Sequence, residues 1–355
     1  MSGRRKLTVA VTGLNARADN PGPGLAVVRC LQLTSEYDLR IVGLSYDALD
    51  PGLYHPWCDT AHLLPYPSTG QAALLDRLQF IHAAEHIDIL IPCLDAELPV
   101  MVALEADLHA MGIRMLLPTA EQLQARDKSR LGELAARAEV NYPETRILSH
   151  PGFFSTCHLE GWSYPYVVKG PFYDASIVHD AVEAGHAFRR LSAAWGLPIL
   201  AQKLVPGSEV NLTGVGDGEG HLLGTVMMKK RGLTEKGKAW AGMCIHDEGL
   251  EAMANRLVAA LKWRGPLEVE AMRDGMGQYH LIEINPRFPA WIFLSAGVGR
   301  NLPLLLLKRL LGEPQDELPQ AAAGTLFIRY AQELIVPVQG FETMMIHGTY
   351  PAVSA

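Results

Sequence analysis

Two apolar runs in the last third of the chain, Leu267–Met272 and Tyr279–Ile284, flank the tetrapeptide Asp274-Gly275-Met276-Gly277. β-formers on either side of an Asp-Gly turn predict a tight antiparallel hairpin. The hairpin carries Glu270 on one strand and Glu283 and Asn285 on the other. Residues two apart in a strand point to one face, so Glu283 and Asn285 share it. The turn is short enough to set Glu270 beside them. Two carboxylates and an amide oxygen gathered at one point are hard ligands. They suit Mg²⁺, which keeps some of its water and takes further ligands from phosphates. Mn²⁺ is a workable substitute, and a pair of ions about 3.5–4 Å apart would clamp both sides of a phosphoryl transfer. Arg287 follows on the same face, and its planar fork suits a phosphate. The plainer alternative is a solvated polar hairpin face, which leaves the entry of the strand into Pro286 and Arg287 unexplained.

The first third alternates strand and helix patterns. Strands are predicted at Leu7–Val11, Leu39–Leu44, Ile87–Ile91 and Ile113–Leu117, with helices at Leu25–Leu33, Gln71–Glu85 and Leu98–Met111. That alternation indicates a parallel sheet covered on both faces. Thr119, with Gln122 three residues on, is placed to cap a helix running to Ala138. Strands Tyr164–Val168 and Ile199–Leu204 enclose a helix at Ala181–Trp195. Strands Val210–Val215 and His221–Met228 and a helix at Glu251–Leu261 precede the hairpin. A helix at Leu302–Leu311 and a strand at Thr325–Val336 follow it. The chain is therefore expected to be α/β, with a parallel-sheet unit in its first third and a new unit opening at Pro118-Thr119.

Composition narrows the partners. Of 355 residues, 48% are hydrophobic and 19% charged, enough apolar material for two or three packed units and too little charge for disorder. A net charge of −7 without a basic run excludes nucleic acid as the expected partner. The five cysteines are scattered, with no CxxC pair, which fits free thiols in a reducing, cytoplasmic setting. The apolar run after the basic start stops at Thr12-Gly13, and Leu302–Leu311 contains Lys308 and Arg309, so no membrane span is expected. Gly13…Gly22-Pro23-Gly24 follows a strand and precedes a helix, but its spacing is not GxGxxG and Pro23 lacks an N–H. Loop structure or a substrate contact is the better reading than a dinucleotide site.

Three further groups bear chemistry. Lys128, in Arg-Asp-Lys-Ser-Arg, and Lys169, at the end of an apolar strand, either snorkel to solvent or meet a phosphate. Gln202-Lys203-Leu204-Val205-Pro206-Gly207-Ser208-Glu209 is either a plain turn or a segment whose backbone reads an adenine edge while Glu209 takes ribose hydroxyls. Lys229-Lys230-Arg231 lies at a strand end, positioned for a triphosphate or as a solvated edge. Phe288 and Trp291 are either core residues or an apolar wall near the acceptor pocket, and Arg300 and Arg329 either form surface ion pairs or hold a substrate carboxylate.

In this order, the motifs resemble the ATP-grasp superfamily. The resemblance runs from about Leu7 to Leu311 and is carried by Ala125-Arg126-Asp127-Lys128, Pro165-Tyr166-Val167-Val168-Lys169, Gly265-Pro266-Leu267-Glu268-Val269-Glu270 and, most specifically, Glu283-Ile284-Asn285-Pro286-Arg287-Phe288. The branch containing the carbamoyl-phosphate synthetase large subunit, biotin carboxylase and the pyrrolysine-pathway ligase looks nearest. The resemblance implies a Rossmann-like, parallel-sheet pre-ATP-grasp domain over 1–118 followed by a two-lobed α+β ATP-grasp domain, with a small lobe and linker helices over 119–200, a large lobe with the metal site over 201–312, and a closing segment over 313–355 packed on the core. It implies ATP held by Lys128, Lys169, Ser176, Gln202, Lys203, Val205 and Glu209, and Mg²⁺ on Glu270, Glu283 and Asn285. Arg287, Lys229, Lys230 and Arg231 would act on the transferring phosphoryl group. Two departures stand out: Gln202 replaces the usual Glu, and the loop Gly170-Pro171-Phe172-Tyr173-Asp174-Ala175-Ser176 is poor in the glycines that let backbone N–H groups approach phosphate. Tyr173 and Asp174 are candidates to face substrate instead. The implied activity is an ADP-forming ligase coupling a small-molecule carboxylate to an amine, with amino acids or a short peptide as substrates and a homodimer as a common assembly. A bicarbonate-activating carboxylase and a non-catalytic ATP-binding switch are the alternatives.

Overall fold

The structure, a computed structural model, describes residues 4–351 apart from 18, 172, 173, 236 and 316. Its N-terminal strands β1 (Arg5–Val11), β2 (Tyr37–Ser45), β3 (Thr60–Leu63) and β4 (Ile89–Ile91) are parallel neighbours in the order β3-β2-β1-β4. Val9, Val11 and Ile41 face one core and Ala10, Val42 and Leu44 the other, so both faces are covered. That is the burial a parallel sheet requires. The chain reverses its direction of addition between β1 and β4, so the loops after these two strands flank a crevice.

A second sheet contains β5 (Thr145–Leu148), β6 (Tyr166–Lys169), β7 (Ala175–Val178) and β8 (Ile199–Lys203), in the order β5-β8-β6-β7. The helix Ala181–Trp195 covers one face, burying Val168, Val178, Ile199 and Ala201 against Ala184, Phe188 and Leu191. Asp180 caps that helix by accepting from Val182 N and Glu183 N, both at 2.8 Å. The opposite face, with Val167, Lys169, Leu200 and Gln202, looks away from the helix.

The large sheet contains β9 (Gly207–Asp217), β10 (Leu222–Leu233), β11 (Ala239–Ile245), β12 (Arg264–Asp274), β13 (Tyr279–Asn285) and β14 (Leu326–Ile328), in the order β13-β12-β9-β10-β11-β14. The helix Glu248–Leu261, capped by Asp247, packs Leu250, Met253, Ala254 and Leu257 on one face against Val210, Leu212, Val269 and Ala271. The closing segment divides: β14 extends the large sheet, and β15 (Thr349–Pro351) pairs antiparallel with β3. The small sheet likewise runs through Lys203, because β8 bonds to both β5 and β6.

Local differences from the sequence reading have physical causes. Ile113–Leu117 forms only a bridge from Ile89 to Arg114 and then leaves the sheet edge. The helix at Leu98–Met111 breaks at Leu104 into two short helices. Thr119 and Gln122 form the reciprocal capping box, yet the helix stops at Ala125 and resumes at Leu131, leaving Lys128 in a turn. Thr325–Val336 gives three residues of strand. All five cysteines are buried free thiols, and among the described residues no helix is long and apolar enough to cross a membrane.

Candidate active site between the two lobes

Strands β12 and β13 pair with Glu270 directly opposite Glu283 and Glu268 opposite Asn285. A bulge after Glu270 skips Ile282 and turns the strand. On its other side β12 meets β9, with Asn211 opposite Glu270 and Thr213 opposite Glu268. One face of the sheet thus carries Asn211, Glu268, Glu270, Glu283 and Asn285, opposite to the face that packs on the helix Glu248–Leu261. Glu268 and Asn211 were not singled out from sequence. The signal was present for Glu268, which stands two residues before Glu270 and therefore shares its face.

Cations surround this row. Lys230 forms an ion pair with Glu209 and lies 3.6 Å from Glu270. Lys128 Nζ is 3.4 Å from Glu283 Oε1. Lys169, at the end of β6, brings a third ammonium from the small lobe. Burial brings it down from 10.5 to about 8, against the pull of Glu283 and with the push of Lys128. Burial and the neighbouring Glu270 push Glu209 up to about 7 despite Lys230. Burial also works to raise Glu270, but Lys230 and the bond from Glu209 overcome it and hold Glu270 at about 2. Between Glu209 and Glu270, it is Glu209 that more readily keeps a proton.

Arg287 joins the N-terminal domain to this row. Its Nε donates to Asp95 Oδ2 at 2.7 Å, and its Nη1 lies 3.9 Å from Glu268. Asp95 follows β4 at the crevice of the parallel sheet, and Arg126 approaches its other oxygen at 3.7 Å. Burial alone would raise the Asp95 carboxyl, and Arg287 and Arg126 hold it below the ordinary carboxylate range. Lys238 adds positive potential at both Asp95 and Glu270. Thr234, in the same β10–β11 connection, donates to Asp19 O at 3.1 Å, so this turn touches the N-terminal Gly/Pro loop.

The donor set can be tested against a divalent cation. Among the described residues, no three His, Cys, Asp or Glu side chains converge closely enough to hold an ion by themselves. Glu270, Glu283 and Asn285 share a face, and the Asn285 amide turns its NH₂ toward Glu268 and Glu270 at 3.0 Å each, leaving its oxygen for another partner. Two carboxylates and one amide oxygen, completed by phosphate oxygens and water, are a fitting set for Mg²⁺.

Several expected residues lie elsewhere. Strand alternation turns Lys229 to the opposite face, where with Val210, Ile245, Asp247 and Arg273 it lines a cavity of about 350 Å³. Arg231 lies beyond the row, its Nη2 4.0 Å from Met243 Sδ. Ser176 pairs with Val168 on the helix side of the small sheet and accepts from Arg190 Nη2 at 2.7 Å, away from Lys169. Gln202 sits on the cleft side, donating to Thr145 Oγ1 at 3.0 Å. Lys203 pairs with Glu144 at 2.6 Å over the Trp162 ring, and Val205 follows in the link to β9. Phe288 and Trp291 are core residues. Arg300 donates to Pro319 O at 2.6 Å and Arg329 to Ala239 O at 3.2 Å, and neither reaches the row. Asp174 accepts from Trp195 Nε1 at 2.9 Å. Phe172 and Tyr173 lie outside the described residues.

Residues 197–333 match the family described as ATP-grasp in the biosynthetic pathway with Ter operon. Solved structures share the fold at low identity. An L-amino acid ligase from Bacillus licheniformis aligns at 17% identity over 88% of this chain and 75% of that one, with a TM-score of 0.62. A biotin carboxylase from Campylobacter jejuni aligns at 14% over 91% and 74%, with a TM-score of 0.68. N5-carboxyaminoimidazole ribonucleotide synthetase from Thermus thermophilus aligns at 18% over 90% and 81%, with a TM-score of 0.64. No curated protein matches the chain by sequence. The fold, a parallel-sheet N-terminal region followed by antiparallel-sheet lobes, matches that of ATP-grasp structures. Residues 197–333 thus match an ATP-grasp family, and the chain as a whole shares the fold of these solved structures.

Proposed function

We propose that the chain is an ATP-dependent, ADP-forming ligase that activates a small-molecule carboxylate as an acyl phosphate and couples it to an amine, with amino acids or a short peptide as the substrate class. The observation that carries this reading is the meeting of Lys230 and Arg287 with Glu270, Glu283 and Asn285 on one sheet face, with Lys128 at 3.4 Å from Glu283. A pure nucleotide binder has no use for a guanidinium at the far end of the carboxylate row.

In this reading the link through Lys203 and Val205 offers backbone groups to the adenine edge. Glu209, steadied by Lys230, accepts from the ribose. Lys128 and Lys169 neutralise phosphate oxygens from the two sides of the cleft. Bound Mg²⁺ would sit on Glu270, Glu283 and Asn285 and offset phosphate charge. The γ-phosphoryl group passes to the substrate carboxylate, releasing ADP, and Arg287 stabilises the charge that spreads over the transferring oxygens. The amine then attacks the acyl carbon, phosphate leaves, and an amide remains. Holding the partners in place supplies most of the acceleration, so no protein nucleophile is needed.

A coupled assay of ADP release tests this, run with amino acids and dipeptides singly and in pairs, and with bicarbonate. Release that requires a carboxylate and an amine together supports the ligase. Release with bicarbonate and no amine would replace it with a carboxylase, and ATP binding without release under any condition would replace it with a binding switch.

A further inference from the structure

Glu268 is 4% exposed, beneath the row of proposed metal ligands. A buried carboxylate is costly unless every lone pair is met, and this one is surrounded by donors. Trp291 Nε1 donates to its Oε1 at 2.7 Å, Asn211 Nδ2 to the same oxygen at 3.1 Å, and Asn285 Nδ2 to its Oε2 at 3.0 Å. Arg287 Nη1 lies 3.9 Å from Oε2.

An ionised carboxylate only accepts, so an amide beside it must present its NH₂. Asn285 faces two carboxylates at once, Glu268 and Glu270, each at 3.0 Å. The flipped amide would set its oxygen against both. Asn211 presents its NH₂ in the same way, and its Oδ1 is buried with no hydrogen-bond partner among the described residues. Glu268 therefore sets the orientation of the Asn211 amide and, together with Glu270, that of the Asn285 amide.

We infer that Glu268 is a positioning residue: held by Trp291, it locks the Asn285 amide with its oxygen toward the metal. The inference rests on the Mg-nucleotide reading above but not on the identity of the acceptor. Groups behind metal ligands typically change metal affinity by about 10–100-fold when removed. Glu268→Gln keeps the shape but places an NH₂ among three N–H donors. Asn285 then keeps only Glu270 to hold its NH₂ and is less firmly fixed in one orientation.

Titration calorimetry of ADP binding, with Mg²⁺ and with EDTA, reads this without any turnover. In the wild type Mg²⁺ is expected to strengthen ADP binding. In Glu268→Gln that Mg²⁺-dependent gain should fall about 10–100-fold, with the affinity in EDTA unchanged. Trp291→Phe removes one donor and no charge, and should give a smaller loss in the same direction, which covers the case that Glu268→Gln does not fold. Equal Mg²⁺-dependent gains in wild type and Trp291→Phe, or in wild type and a folded Glu268→Gln, would overturn the positioning role alone. A wild type whose ADP binding ignores Mg²⁺ would overturn the metal reading and this inference with it.

Discussion

Arg287, two residues past Asn285, is gripped by Asp95 of the N-terminal parallel sheet at 2.7 Å. Arg287, proposed to steady a transferring phosphate, is thus aligned by the loop that follows β4, across 192 positions of sequence. Asp95→Asn keeps the size and removes the charge that balances the guanidinium. Breaking a buried pair costs about 3 kcal/mol, so the thermal midpoint should fall, and substrate-dependent ADP release should fall with it. An unchanged midpoint would show that Glu268 alone suffices for Arg287.

Glu283 lies opposite Glu270 and beside Lys128. Glu283→Gln retains the strand and its packing but offers a weaker ligand and loses the partner of Lys128. ADP release should drop at least about 100-fold, while circular dichroism and the melting midpoint stay close to wild type. Near-normal turnover would refute the metal assignment.

Lys229 and Lys230 are adjacent in sequence and face opposite sides of one strand. Lys230→Met leaves Glu209 and Glu270 without their shared cation, and nucleotide-dependent turnover should fall at least about 100-fold. Lys229→Met, which alters only the cavity on the helix side, should change it less than about twofold, as surface changes away from a site do. The reverse order in steady-state ADP release would contradict the register of β10.

Burial brings the Lys169 ammonium down to about 8. Phosphate oxygens favour the ammonium and raise that value again. Above pH 8 the free protein has lost the proton and the complex has it, so ATP binding should take up close to one proton near pH 9 and little at pH 7. Calorimetry in two buffers of different ionisation enthalpy measures the uptake. Lys169→Met should abolish it, and a pH-independent binding enthalpy difference would contradict the burial of this lysine.

Much of this was legible from residues alone. The helices Gln71–Glu85, Ala181–Trp195 and Leu302–Leu311 have the bounds that apolar spacing and caps predict. The hairpin of β12 and β13 follows from its turn. The strands that escaped notice are β3, β5, β7, β11 and β15, mostly short or at sheet edges. There, half-exposed residues such as Ile147 and Ile177 give no clean alternation. For the site, sequence spacing places side chains within one strand but not between strands. It therefore joins Glu283 to Asn285, and could have joined Glu268 to Glu270, yet it cannot show that Asp95 reaches Arg287. Treating Lys229-Lys230-Arg231 as one cluster ignored the alternation that separates them.

The small sheet is suspended from the rest of the chain by two strands that leave it side by side: Thr145 stands opposite Gln202, and Lys203 N–H donates to Glu144 O at 2.9 Å. A body hung this way turns about a single line. Lys169 stands on this body, while Lys128, Glu283 and Arg287 stand outside it. On the ligase reading, a turn about that line would carry the last positive charge to the phosphates of the nucleotide that the cleft admits.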